Sequence, residues 1–208
     1  MSRTARSILL WPFHLGALFS QAKSFRDNPI LGSRTLNRLG LHVARVALAH
    51  AIVGLRRRVF LFWLVDAETR RAFARDGYVE IRNFVPPERL AALRAEIQAC
   101  RVETRAMQQG DTATVTVLLD DTALADLPAC RELLDSPAFF NPLAYVGARW
   151  KHALAFIHVV KNANAGGARD PQKTFHSDTF HSTMKAWLFL EDVAEEEGPF
   201  NYVPGSHR

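Results

Sequence analysis

The order of its hydrophobic patterns makes this chain an α+β protein, helices first and a β jelly roll after them. Three observations carry that class. Apolar residues recur at helical spacing as far as Cys100. Beyond it come short runs of strand-like composition, separated by Gly, Pro, Asn and Asp. At Asp66 the texture changes, setting a basic, apolar helical extension over residues 1–65 apart from a domain over 66–208.

Charge concentrates in the first part. Up to Arg75, Lys and Arg number 13 against 3 acids, and afterwards 13 against 18, within a net charge of +5. Such a segment points to an anionic contact, a phospholipid surface or an acidic partner, with a solvated basic helix as the plain alternative. No nucleic-acid partner is expected. Arg3 and Arg6 precede an apolar run over 8–19 with small residues behind it, the outline of a cleaved leader, but Pro12 and His14 interrupt it. The stretch 39–65 is apolar enough to suggest a membrane span, yet it carries Arg45 and the triplet Arg56, Arg57 and Arg58. Each of these costs about 2.5 to 3.5 kcal/mol at a bilayer centre, so a transmembrane helix is not expected. What remains is a helix docked on the protein's own core or an interfacial one, whose densest apolar run, VFLFWLV over 59–65, follows the arginine triplet directly. Asp27, Asn28, Pro29, Gly32 and Ser33 read as turns.

From Asp66 the elements follow in order. Asp66 caps a short helix carrying Phe73, Gly77 is its left-handed end, and 78–82 (YVEIR) alternates as a strand does. Pro86 and Pro87 open the next helix, with a core stripe of Leu90, Leu93, Ile97 and Cys100. Later strands are expected over 114–119, 153–161, 174–180, 185–192 and 200–203. The connection 162–173 (NANAGGARDPQK) should be the least ordered and is placed as an active-site flap. Cys100 and Cys130, without CxxC spacing, read as reduced core thiols of a cytoplasmic protein.

His176 and Asp178 form a His-x-Asp triplet. On a strand, residues two apart share a face, so an imidazole and a carboxylate would converge on one point. That is two thirds of a facial triad, which suits Fe(II) because it leaves coordination positions open. Such a triplet arises by chance often enough that its surroundings must carry the argument.

The surroundings are distinctive. The run 175–192 (FHSDTFHSTMKAWLFLED), then Gly198 and Pro199, then 203–208 (VPGSHR) resembles the core signature of the phytanoyl-CoA dioxygenase family, and 73–84 (FARDGYVEIRNF) with the following helix resembles that family's amino-terminal pattern. The resemblance spans about 73–208. It implies a cupin-like double-stranded β-helix and a non-haem iron, 2-oxoglutarate-dependent dioxygenase. His176 and Asp178 would be iron ligands, and Trp187 would lie against 2-oxoglutarate. Lys185, two residues before Trp187, would share its face and meet a co-substrate carboxylate. His181 falls on the opposite strand face from Asp178, and His207 would support the Pro-Gly turn before it. The implied reaction takes Fe(II), 2-oxoglutarate and O2, releases succinate and CO2, and hydroxylates a small organic or lipid-like substrate.

The family's pattern also calls for a distal histidine and a basic residue on later strands. On that count we expect the sequence to be a fragment whose carboxyl-terminal strands are missing, or a degenerate relative in which His181 or His207 is the third ligand or no metal binds. A catalytically inactive jelly-roll binding protein, or a membrane-surface adaptor contacting lipid through its basic extension, is the alternative function.

Overall fold

The computed structural model describes residues 11–17, 25–101, 104–162, 168–176 and 183–207. The chain forms two compact units, the first running to Leu55 and the second beginning at Arg56.

The first unit is helical: α1 (Trp11–Gly16), α2 (Arg34–Arg38) and most of α3 (Leu41–Val59). Asn28 organises the turn read from the sequence. Its Oδ1 accepts from the N–H groups of Ile30 and Leu31 at 3.0 and 2.9 Å, and its Nδ2 donates to the His14 carbonyl at 2.9 Å. Ile30 and Leu31 are thereby buried. Ser33 caps α2 through the Leu36 N–H, and the Arg45 guanidinium lies 4.9 Å from the centre of the Phe25 ring. No helix among the described residues is long and apolar enough to cross a membrane.

The second unit starts with the last turn of α3. Arg57 reaches the end of α8 (Pro137–Gly147), donating to the carbonyls of Tyr145 at 3.1 Å and Val146 at 2.5 Å while its guanidinium sits 4.6 Å from the Phe73 ring centre. A cation at a helix carboxyl terminus satisfies carbonyls that have no partner within the helix. Burial pulls this guanidinium below its ordinary pKa. The α4 helix (Ala67–Asp76) has the ends its sequence predicts. The Asp66 carboxylate accepts from the Thr69 N–H at 2.7 Å, and Gly77 closes the helix at φ +84° with its N–H on the Phe73 carbonyl.

The α5 helix (Pro87–Ala99) buries Leu93 against Leu127 and Cys130, with Ile97 and Cys100 packed around them. Both cysteines are free thiols. Glu96, opposite in character to that stripe, spans to α7 (Pro128–Asp135), where its carboxylate accepts from the N–H groups of Ala129 and Cys130 at 2.8 to 3.1 Å. Burial and the Glu96 charge together push the Cys130 thiol up to about 11.

Three strands make one antiparallel sheet in the order β1 (Arg105–Gln109), β2 (Thr112–Leu118) and β3 (Phe156–Asn162). The register pairs Gln109 with Thr112 across the first turn and runs from Thr112↔Asn162 to Leu118↔Phe156 between β2 and β3. Helices α6 (Asp121–Ala125), α7 and α8 fill the connection from β2 to β3.

The expected α+β class holds, and of the expected jelly roll the described residues form one small antiparallel sheet. The strands expected over 114–119 and 153–161 are β2 and β3, with shifted ends. Residues 78–82, 185–192 and 200–203 are not strands, and neither is the described part, 174–176, of the run expected over 174–180. An extended backbone becomes a strand only when a neighbour takes up its N–H and C=O groups, and these segments have no ladder among the described residues. The described residues hold a mixed helix-and-sheet fold, and they do not form a double-stranded β-helix. β1 (RAMQQ) went unforeseen because it lacks alternation and β-branched residues, and pairing with β2 makes it a strand all the same.

Candidate metal centre

The approach to His176 starts at the turn between β1 and β2. Gly110 and Asp111 form a two-residue loop in which Gly110 adopts φ +57°, a conformation that favours glycine. A Cβ on Gly110 would strike the Ala168 carbonyl and the Asp170 backbone, so the chain entering the His-x-Asp motif passes close over this turn. Asp111 then fastens it. One carboxylate oxygen accepts from the Asp170 N–H at 3.0 Å, and the other meets the Lys173 ammonium at 2.7 Å. The bond from Lys173, followed by that from Asp170, holds the Asp111 carboxyl below its ordinary pKa.

Asp170 is buried, and its carboxylate caps a single 3-10 turn over Pro171–Lys173 by accepting from the Gln172 N–H at 2.8 Å. The Thr174 hydroxyl donates back to the Pro171 carbonyl at 2.7 Å, and the Thr174 carbonyl lies 2.7 Å from His176 Nδ1. The expected flap is thus anchored over its described second half, residues 168–173, by a charged side chain and a cap.

A carbonyl only accepts, so His176 Nδ1 carries the proton, and the neutral ring has its lone pair on Nε2. An imidazole fixed by Nδ1–H to a backbone carbonyl is in the tautomer that ligates metal through Nε2. The His176 side chain is exposed and belongs to a stretch of irregular backbone. Asp178 and His181 lie outside the described residues. Among the described residues, no three His, Cys, Asp or Glu side chains gather to hold a metal.

Lys185 and Trp187 stand on an irregular stretch in which Lys185, Ala186 and Trp187 are all exposed. Lys185, Trp187 and Phe189 face solvent, while Leu188 and Leu190 are partly buried. Leu188 packs on the α5–α7 core, and Arg94 donates to the Leu190 carbonyl. The two candidate co-substrate residues are both exposed, and the Trp187 ring lies 4.2 Å from that of Phe200.

The Pro-Gly turn sits against the end of α4. The Gly205 N–H donates to the Asp76 carbonyl at 2.8 Å, and the His207 ring packs, tilted by 47°, at 5.7 Å from that of Phe73. A Cβ on Gly77 would collide with the His207 ring and the Tyr202 hydroxyl. The two separate sequence signatures are thus in direct contact, with Arg57 on the same Phe73 ring. The profile of the phytanoyl-CoA dioxygenase (PhyH) family matches residues 73–208. The chain belongs to that family. Membership places it in the Fe(II)/2-oxoglutarate oxygenase superfamily, and both signatures fall inside the matched region. No curated protein and no solved structure matches the chain.

Sequence reasoning missed Asp111, Lys173 and Glu96 as organising residues. Asp111 sits 59 residues from Asp170 along the chain, and Glu96 sits 33 from Ala129. The Gly-Asp pair at a turn was the one local signal available for the first.

Proposed function

We propose that this member of the phytanoyl-CoA dioxygenase family is a non-haem Fe(II), 2-oxoglutarate-dependent dioxygenase that hydroxylates a small organic or lipid-like substrate. The observation that carries the reading is the anchored His176, whose Nδ1–H is engaged on the Thr174 carbonyl so that Nε2 has the ligating lone pair. Asp178, two residues on, supplies the carboxylate of the pair. Bound iron would supply the activation of O2 that drives oxidative decarboxylation of 2-oxoglutarate to succinate and CO2. The chain's own residues bind and orient. The Asp111–Lys173 latch sets the height of His176, Trp187 offers an aromatic wall to the co-substrate, and Lys185 offers its ammonium to a co-substrate carboxylate.

The test is Fe(II)-dependent succinate formation from 2-oxoglutarate by the full chain, together with the absorbance of added Co(II) as a readout independent of turnover. Succinate formation that falls to background in both His176→Ala and Asp178→Ala, with the Co(II) bands lost as well, is the expected result. A wild-type chain that forms no succinate, or Co(II) bands that persist unchanged in both variants, would overturn it and favour a catalytically inactive binding protein.

A further inference from the structure

The surface of the second unit carries one feature that the oxygenase reading does not use. Trp63 and Trp150 lie 87 residues apart in sequence, yet their rings meet at 5.5 Å, with an interplanar angle of 35°. Both remain about 60% exposed (60% and 61%), and Phe60 beside them is 64% exposed. A pair of neighbouring tryptophans is a large apolar area to leave in water. Buried Trp contributes heavily to protein cores, and contiguous exposed patches mark contact sites.

The framework beneath is firm. The Trp63 indole N–H is satisfied by the Phe60 carbonyl at 2.9 Å, and Arg70 donates to the carbonyls of Phe62 and Val65 at 2.6 and 2.5 Å. Phe140 braces Trp150 from below at 5.1 Å, edge to face. The patch is therefore a built surface, and cations outnumber acids among the charged residues beside the two tryptophans in sequence. Arg56 and Arg58 precede Trp63, while Arg149 and Lys151 flank Trp150, and all four are exposed. Asp66, the next acid after Trp63, is engaged as the cap of α4.

We propose that this tryptophan pair and its flanking cations form a docking surface for an anionic phospholipid membrane. Tryptophan favours the interfacial depth of a bilayer, where its ring is buried and its N–H stays in a polar layer, and arginine and lysine beside it find lipid phosphates. The contact is peripheral, since it rests on a few side chains and not on a spanning helix. It does not depend on iron or on 2-oxoglutarate.

The experiment is sedimentation of the full chain with vesicles of phosphatidylcholine alone and of phosphatidylcholine mixed with phosphatidylserine, with tryptophan emission followed in parallel. Binding to the mixed vesicles, a blue-shifted emission and weakening by salt are expected. Trp63→Ser with Trp150→Ser should abolish binding. Arg149→Gln with Lys151→Gln should lower partitioning about thirtyfold, roughly fivefold per cation, and this charge variant decides the matter if the tryptophan variant fails to fold. No binding to the mixed vesicles would overturn the proposal. So would binding unchanged in the charge variant, or a self-association that the same substitutions disrupt in the absence of lipid.

Discussion

Two regions of the second unit hold functional sequence in opposite ways. At the end of α4, Phe73, Gly77 and the Pro-Gly turn before His207 are joined by packing: a buried aromatic ring in contact with the His207 ring, a glycine with no room for a methyl, and the Arg57 cation over the Phe73 ring. At the approach to His176, the chain is held by polar bonds between half-buried groups, chiefly the two made by one carboxylate, Asp111. Buried contacts are worth several kcal/mol each when broken, and solvated ion pairs little. The first region should therefore set whether the chain folds, and the second how its metal ligand is aimed.

The sharpest way to break the first region is Gly77→Ala. The residue sits at φ +84°, which costs a non-glycine residue about 1 to 2 kcal/mol, and the new methyl displaces the His207 ring and the Tyr202 hydroxyl at a further 1 to 3 kcal/mol or so. A loss of roughly 2 to 5 kcal/mol should appear as a large drop in the urea midpoint. A midpoint that stays within experimental error would mean that the turn is not fastened to α4.

The core between α5 and α7 offers a pH test. The Cys130 thiol is raised from an ordinary 9.0 to about 11, so the folded chain holds its proton more tightly than the unfolded chain does. The associated stability is fully present below pH 9.0 and is lost as pH rises toward about 11, which for a shift of this size is roughly 3 kcal/mol. Denaturation midpoints taken across that alkaline window should fall, and the fall should flatten in Cys130→Ala. An equal slope in that variant would assign the loss to other groups, Tyr145 first, since burial raises its hydroxyl too.

What the sequence disclosed follows the same division. Gly77, the Asp66 cap and the stripe of Leu93, Ile97 and Cys100 were legible because glycine, cap and helical period are local signals. The His-x-Asp motif was legible as chemistry. The irregular backbone over the described part of its run, 174–176, was not, because a run of strand-like composition becomes a strand only if a partner exists, and pairing is not written in the run itself. Arg57 was read with the extension, as part of an arginine triplet beside an apolar run. In the structure it is instead the cation that closes α8, 88 residues away. Contacts of that separation have no signature in a window of neighbouring residues.

The smallest effect on stability, and the one most specific to the second region, belongs to Asp111. Asp111→Ala removes a half-buried ion pair and one part-buried acceptor, so the stability read from the urea midpoint should fall by no more than about 1 kcal/mol. It also frees the Asp170 N–H and Lys173, on which the 3-10 turn and then the Thr174 carbonyl depend. The Nδ1–H of His176 should lose its defined partner, visible in nitrogen NMR as a shift toward mixed tautomers, and Co(II) affinity should drop about tenfold, the usual size for an outer residue that orients a ligand. Asp111→Asn keeps an acceptor for the Asp170 N–H and loses only the ion pair, as does Lys173→Met. If those two variants match each other and fall between wild type and Asp111→Ala, the backbone bond carries most of the aim. If Asp111→Ala leaves both the tautomer and the affinity unchanged, His176 is oriented by its own turn, and the contrast between a buried knot and a charged latch ends at stability.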